Sequence, residues 1–310
     1  MKRFRSALLL FIVSFLTAVF VHRPIFSQTP ARYQSMSAEQ RRSFAKSEVE
    51  ELIGIGPNGA ITSKGIDQVI TEIDGYLARK PMSAGTGCRM GADLSTIFQR
   101  AQPHVDTIRT SFELPQLPPD LGIYVAMIES EFCPCIQSPT GPLGMFQWTA
   151  LTARNFGIDA ISGASPARPD ERCDPRMASR GAATYFSQLI RKDFPDDPQE
   201  FLLAVAAYNI GEGGLKRVRK EAAAALKNQR LGFWEISDFV VNKRAAWVEE
   251  KRKAATGDEE KDADLPRVNE HLAFRSETLK YVPRFLAAAI IGRNPGVFGI
   301  SGEALGKKPN

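Results

Sequence analysis

The stretch that decides the fold is Asp120–Pro134, which reads DLGIYVAMIESEFCP. Apolar side chains recur in it at Leu121, Val125, Ile128 and Phe132. This i, i+4, i+7, i+11 spacing is typical of a helix with one apolar stripe. Pro134 is predicted to stop the helix, because proline cannot continue the backbone hydrogen bonds.

Two carboxylates lie near the end of that predicted helix. Glu129 stands at the edge of the apolar stripe, where partial loss of water favours the protonated form of a carboxyl group. Glu131 is two residues further on and so points to a different face, which predicts a surface charge. Glu129 is therefore the candidate acid.

The rest of the chain also favours helices. Strand-like alternation is scarce, so a mainly α fold is predicted. Asp174 precedes one predicted helix and is expected to cap it. The other predicted helices cover residues 45–53, 65–80, 94–112, 149–156, 176–192, 201–208, 215–227 and 277–291, with one more beginning near 233 and carrying Trp247. A Gly-containing segment at 54–59 separates the first two, and residues 251–264 are predicted to be a solvated loop or a fraying helix end.

Basic residues at the start of the chain precede an apolar run at 7–21. This pattern predicts a secretory signal over residues 1–27, with an uncleaved membrane anchor as the alternative. The segment carries four basic residues and no acid, so its removal lowers the formal net charge from +5 by four, to about +1. Nothing in the remaining charge indicates a nucleic-acid partner.

The chain has four cysteines, Cys88, Cys133, Cys135 and Cys173. An even number in an exported chain predicts two disulfides. Because a bond between Cys133 and Cys135 would be strained, each is expected to pair with Cys88 or Cys173, and both such pairings remain open. Beyond the signal the histidines are His104 and His271, neither near a cysteine in sequence. A metal centre and a Cys–His peptidase are therefore disfavoured.

Four short motifs follow one another over residues 129–283. A Gly-rich loop, Ser138–Gln147, follows Glu129, and Tyr208-Asn209 lies far downstream. Together these residues resemble the lysozyme-like lytic transglycosylases, and the ending at 281–288 is most similar to the membrane-bound lytic transglycosylase D branch. The matching residues are Glu129, Ser130, Phe132 and Pro134; Ser138, Pro139, Gly141, Gly144 and Gln147; Ala207, Tyr208, Asn209 and Gly211; and Glu277, Thr278, Tyr281, Val282 and Pro283.

The resemblance implies an architecture and a site. A lysozyme-like (goose-type) catalytic domain is expected over 115–300, after a helical accessory segment at 28–114 and before a tail at 301–310. Glu129 is the expected catalytic residue, and no metal or cofactor is implied. The expected substrate-binding residues are Ser138, Gly144, Met145, Gln147, Tyr208, Asn209 and Tyr281. The chain departs from the family pattern at Met145-Phe146, which replaces Leu-Met, at Cys133, which replaces an asparagine, and at Thr149, which lies where a methionine is usual.

The resemblance also implies a reaction with a single acid. Glu129 would cleave the β-1,4 bond between N-acetylmuramic acid and N-acetylglucosamine in peptidoglycan strands, leaving 1,6-anhydro ends without using water. The expected location is the periplasm or cell envelope, with membrane association through the N-terminal segment. A lysozyme-type muramidase that uses water and a non-catalytic wall-binding protein are the alternatives.

Overall fold

Helices make up nearly all the regular structure in the part of the chain that the computed structural model describes. That part comprises residues 32–53, 61–82, 87–118, 120–195, 199–257 and 276–306, which belong to one compact unit. Isolated antiparallel bridges, such as Gln137 with Leu143, are the β pairing found there. The predicted mainly α fold is confirmed. The predicted signal, the segment 54–59, residues 258–264, His271 and positions 307–310 of the tail lie outside the described residues.

Four helices precede the stretch that carries Glu129, and eight include or follow it in the described residues. The first four are α1 (Ala38–Ile53), α2 (Ser63–Leu77), α3 (Leu94–Ala101) and α4 (Val105–Ser111). The others are α5 (Leu121–Ser130), α6 (Ala150–Asn155), α7 (Pro175–Gln188), α8 (Glu200–Ile210), α9 (Glu212–Leu226), α10 (Phe233–Asn242), α11 (Arg244–Lys253) and α12 (Ser276–Arg293). None of the described helices combines the length and apolar character needed to cross a bilayer.

Helix α5 lies in the centre of the described fold. Every residue of α5 is buried except Glu129, which fits a helix that is apolar on all sides. Helix α12 packs against α5 and α8, and also along α2. The N-terminal helices are thus packed beside the helices that carry the motifs, while the predicted domain boundary at 114/115 stays a prediction.

Several predicted helix ends were wrong. Helix α5 ends at Ser130 rather than at Pro134, because Glu131 and Phe132 adopt left-handed backbone angles with φ of 51° and 60°. The predicted helix at 94–112 is two helices, α3 and α4, separated at Gln102–His104, where Pro103 has no N–H to donate. The predicted helix that starts near 233 likewise breaks at Lys243, between α10 and α11.

Two predictions about local structure are confirmed. The side chain of Asp174 caps α7 by accepting bonds from the backbone N–H groups of Arg176 and Met177. The cysteines form two disulfides, Cys88–Cys133 and Cys135–Cys173, so Cys133 and Cys135 have different partners. The first disulfide gives a structural reason for the cysteine at 133, and both fix the backbone on either side of Pro134.

Candidate active site

A cleft of about 700 Å³ opens beside the last turn of α5. It brings together residues that are distant in sequence, and six of the predicted site residues line it. These are Glu129, Ser138, Gln147, Tyr208, Asn209 and Tyr281. Glu129, the single partly exposed residue of α5, faces the cleft, so the cleft contains a carboxylate on an otherwise apolar helix.

Glu129 lies in an environment that favours its protonated form. Burial raises its pKa from an ordinary value of 4.5 to about 7, and the negative charge of Glu277 acts in the same direction. The hydrogen bond from Tyr281 and the positive charge of Arg284 oppose that rise in pKa. Desolvation therefore outweighs the groups that stabilise the carboxylate, and Glu129 can exchange a proton near neutral pH.

Two tyrosines flank the acid. The hydroxyl of Tyr281 donates to Oε1 of Glu129 at 2.5 Å. The hydroxyl of Tyr208 donates instead to the backbone carbonyl oxygen of Phe146 at 2.9 Å, and its ring stacks on Phe186. Burial, followed by the charge of Glu129, raises the pKa of both hydroxyl groups well above the usual tyrosine value. Tyr281 contacts the acid, whereas Tyr208 supports the adjoining loop.

The side-chain amide of Gln147 holds the loop Ser138–Gln147 in its conformation. The side-chain N–H2 of Gln147 donates to the carbonyl oxygens of Ile136 and Gly144, at 3.0 and 2.8 Å. Gly144 has φ of 90°, and any Cβ there would overlap the carbonyl oxygen of Arg172. Gly144 is needed for backbone packing, and a side chain at this position is excluded.

Gly144 and Met145 do not reach the cleft surface. Met145 is fully buried in the core, and Gly144 is buried against Arg172. The structure therefore corrects the expectation that both contact substrate and gives them a role in shaping the loop. Motif membership alone did not separate loop-forming residues from cleft-lining ones.

Asn209 and Thr278 connect the third and fourth motifs. The hydroxyl of Thr278 donates to Oδ1 of Asn209 at 2.8 Å, and Thr278 itself is buried. This bond orients the Asn209 amide at the edge of the cleft. Thr149, one of the departures from the family pattern, also lines the cleft and caps α6 by accepting a bond from the backbone N–H of Thr152.

Two charged residues of the cleft were not among the predicted site residues: Glu277, which was only a motif match, and Arg284. They lie on α12 at i and i+7 with Tyr281 at i+4, so all three share one helix face. That spacing was the signal that could have identified them once Tyr281 was recognised. The cleft therefore holds a second carboxylate and a cation beside Glu129.

The prediction for Glu131 was wrong, because this residue is fully buried. Its carboxylate accepts hydrogen bonds from Arg79 at 2.5 Å and from the backbone N–H groups of Gly91 and Ala92 at 2.9 and 2.8 Å. Arg100 lies 3.7 Å away. Since Glu131 is in the left-handed conformation after α5, its side chain turns toward the segment that follows α2. It anchors that segment to the end of the helix that carries Glu129.

Comparison with known proteins identifies a family for the region around the cleft. Residues 107–231 match the family described as "Transglycosylase SLT domain", a range that contains the first three motifs and stops before the fourth. The chain is 27% identical over 207 residues to membrane-bound lytic murein transglycosylase D of Escherichia coli strain K12, covering 67% of this chain and 35% of that protein.

Two other relatives match a shorter region. Peptidoglycan transglycosylase gp16 of Escherichia phage T7 is 40% identical over 103 residues, which cover 33% of this chain and 7% of the phage protein. Membrane-bound lytic murein transglycosylase F of Shewanella loihica is 36% identical over 97 residues, 30% of this chain and 18% of that protein. The chain thus spans about a third or less of these relatives. Residues 107–231 of this chain constitute a transglycosylase SLT domain.

Proposed function

We propose that the protein is a peptidoglycan lytic transglycosylase that cleaves the β-1,4 bond between N-acetylmuramic acid and N-acetylglucosamine and leaves 1,6-anhydro ends. The observation that carries the proposal is a carboxyl group with a pKa near 7 in the cleft of an SLT domain. At neutral pH a large fraction of such a group is protonated, as the acid step requires, and the carboxylate that this step leaves is basic enough to take up a proton in the next step.

In the first step protonated Glu129 donates its proton to the glycosidic oxygen. The bond from the anomeric carbon to that oxygen breaks, and the N-acetylglucosamine part leaves as an alcohol. The electron-poor anomeric carbon is stabilised by the acetamido oxygen of the same muramic acid ring. Tyr281, which already bonds Oε1, donates to the carboxylate that Glu129 has become.

In the second step the Glu129 carboxylate removes the proton from the C6 hydroxyl of the muramic acid ring. The oxygen of that hydroxyl attacks the anomeric carbon and closes the 1,6-anhydro ring, so Glu129 is protonated again and no water is consumed. An intramolecular nucleophile has a high effective concentration, which replaces the second carboxylate that other glycosidases use.

The remaining cleft residues suit a glycan. On the loop side Ser138 and the side-chain carbonyl oxygen of Gln147 supply polar groups. The N–H2 of the same Gln147 side chain already donates to backbone carbonyl oxygens of the loop region. Because Thr278 donates to Oδ1 of Asn209, the Asn209 N–H2 is the group offered to an acetamido oxygen. Tyr208 contributes its ring to the wall of the cleft.

The alternative with a specific observation in its favour is hydrolysis by water. Glu277 is a second carboxylate in the cleft, and it acts on Glu129 through its charge. In a hydrolytic enzyme it would be the candidate base that activates water. In the transglycosylase mechanism Glu277 transfers no proton.

The same proposal places the protein in the cell envelope. Two disulfides fit an oxidising compartment, and two of the relatives quoted above are named as membrane-bound. We also propose that the N-terminal segment anchors the protein to the membrane. The catalytic domain is proposed to cover residues 115–300, after helices at 28–114.

Release of soluble fragments from purified cell wall tests the assignment of Glu129. Glu129→Gln should reduce release at least about 10³-fold, since an amide neither donates nor accepts the transferred proton. Glu277→Gln is the matched control, because it removes a carboxylate from the same cleft. Comparable losses in both variants would favour the hydrolytic alternative, and retained release by Glu129→Gln would exclude Glu129 as the acid. If the properly folded wild-type chain released no fragments, the result would favour the alternative of a non-catalytic wall-binding protein.

A further inference from the structure

One face of α12 gives the cleft an uneven charge. Glu277 lies at one end of the face, Tyr281 in the middle and Arg284 at the other end, and all three line the cleft. At 1.5 Å of rise per residue, Arg284 is about 4.5 Å along the axis from Tyr281. The cation is therefore within side-chain reach of a sugar held at Glu129.

The guanidinium of Arg284 is oriented by one residue of α2. Its Nε pairs with Oε2 of Glu72 on α2 at 3.2 Å. Among the described residues this is the ion pair that Arg284 makes, and its two terminal nitrogens have no hydrogen-bond partner there. The side chain is 33% exposed, compared with 19% for Glu72. The inner edge of the guanidinium is held by Glu72, and its outer edge faces solvent in the cleft.

We propose that Arg284, held by Glu72, is a carboxylate-binding site that selects the anionic part of the glycan. The inference rests on the proposed function and adds to it a ligand group and an orientation. Guanidinium binds carboxylate through parallel N–H donors, and such charge-assisted bonds are the stronger ones. Glu277, at the opposite end of the face, repels the same group. A strand therefore lies with its carboxylate toward Arg284 and away from Glu277.

Two carboxylates of peptidoglycan have the required chemistry. One is the lactyl group of N-acetylmuramic acid, which is a free carboxylate where the peptide stem has been removed. The other belongs to the stem itself. Neither is present in oligomers of N-acetylglucosamine. Helix α2 lies outside the range 107–231 that matches the family. Its function in this proposal is to hold the Arg284 guanidinium in place through Glu72.

The test measures binding of three glycans to the full chain carrying Glu129→Gln, so that no substrate is consumed. The probes are a neutral N-acetylglucosamine oligomer, a stem-free muramic acid strand with free lactyl groups, and a strand that retains its peptide stems. Adding Arg284→Gln should weaken binding of at least one anionic strand about tenfold, the effect of one charge-assisted hydrogen bond. Binding of the neutral oligomer should stay within about twofold.

The arm that responds identifies the source of the carboxylate. Loss on the stem-free strand assigns the lactyl group, and loss on the stem-bearing strand alone assigns the peptide. Arg284→Lys should retain part of the affinity, because the charge stays and the paired donors are lost. Equal losses on neutral and anionic glycans, or no loss on either anionic strand, would overturn the proposal.

A second variant covers the case in which Arg284→Gln does not fold, which circular dichroism would detect. Glu277→Gln should tighten binding of the responding anionic strand and leave the neutral oligomer unchanged, whereas no gain would count against the site. Because the assay measures binding and not products, it separates the two proposals. A wall digest without anhydro ends refutes the reaction, and the carboxylate site stands or falls on the binding data alone.

Discussion

Tyr281 donates a hydrogen bond to Glu129 at 2.5 Å across 152 residues of sequence. The bond joins α12, which lies outside the matched family range, to α5, which lies inside it. Tyr281 is buried and its hydroxyl pKa is raised well above the usual value, so it remains a donor throughout the range in which Glu129 titrates. The acid therefore keeps one fixed partner in both of its protonation states.

The pH profile should report this contact. Activity is expected to fall as pH rises through about 7, because the first step needs protonated Glu129. Tyr281→Phe removes a bond that stabilises the carboxylate, so the pKa of Glu129 rises and the fall in kcat/KM moves to higher pH. Loss of this hydrogen bond should also lower kcat about tenfold. Rates between pH 4 and 9 measure both effects.

Glu277→Gln serves as the comparison with opposite sign. The negative charge of Glu277 raises the pKa of Glu129, so removing that charge should move the alkaline fall in activity to lower pH. Shifts in the same direction for both variants would show that the fall in activity does not follow Glu129.

Glu129 should lower the stability of the fold at pH values at which its carboxyl group is ionised. The pKa of Glu129 is raised from 4.5 to about 7 on folding, so the folded state holds a proton that the unfolded state releases between those values. Stability attributable to this group therefore declines as pH rises from about 4.5 to 7 and is constant above that. Glu129→Gln should melt higher than the wild type at pH 8 and at the same temperature at pH 4. A difference that is equal at both pH values would contradict the pKa assignment.

Glu131 should matter for stability and not for chemistry. Glu131→Gln leaves Arg79 without its buried countercharge, at a cost of roughly 2–3 kcal/mol, since Arg79 is partly exposed. That corresponds to a fall in melting temperature of roughly 5–10 °C. Glu113→Gln, at an exposed site, should change it by less than about 2 °C. Activity per folded molecule should be retained by Glu131→Gln, and a loss of kcat at full folding would assign Glu131 a part in catalysis.

The disulfide Cys88–Cys133 should stabilise the region next to the acid. It closes a loop with a sequence separation of 45 residues, and removing it should cost about 4 kcal/mol by the chain-entropy relation. Replacing both cysteines by serine and measuring the free energy of unfolding checks this value. Peptide mapping without reduction should recover Cys88 with Cys133 and Cys135 with Cys173. A linked Cys133–Cys135 peptide would contradict the fold around Pro134.

The sequence predicted the parts of this molecule that depend on local pattern. The apolar stripe identified α5, and Asp174 marked the start of α7. Six of the site residues predicted from the motifs meet in the cleft, because members of a family keep the same residues together in space even where these are far apart in sequence.

The errors occurred where a distant partner decides the conformation. Helix α5 stops before Pro134 because Glu131 is drawn toward Arg79 and Gly91, which no spacing within the stretch 120–134 reveals. Gly144 and Met145 belong to the loop motif, yet Arg172 and the core surround them. Arg284 is not among the motif matches, and it lines the cleft because α12 packs against α5 and α2.

The chemical form of the newly made chain end distinguishes a transglycosylase from a hydrolase. Purified cell wall is digested with the wild-type protein, and the soluble fragments are weighed by mass spectrometry before and after borohydride reduction. We expect 1,6-anhydro-N-acetylmuramic acid ends, which are lighter than hydrolysed ends by one water and do not react with borohydride. Glu129→Gln should release neither kind of fragment. Predominantly reducible ends from the wild-type protein would exclude the transglycosylase reaction and assign the cleft to hydrolysis by water.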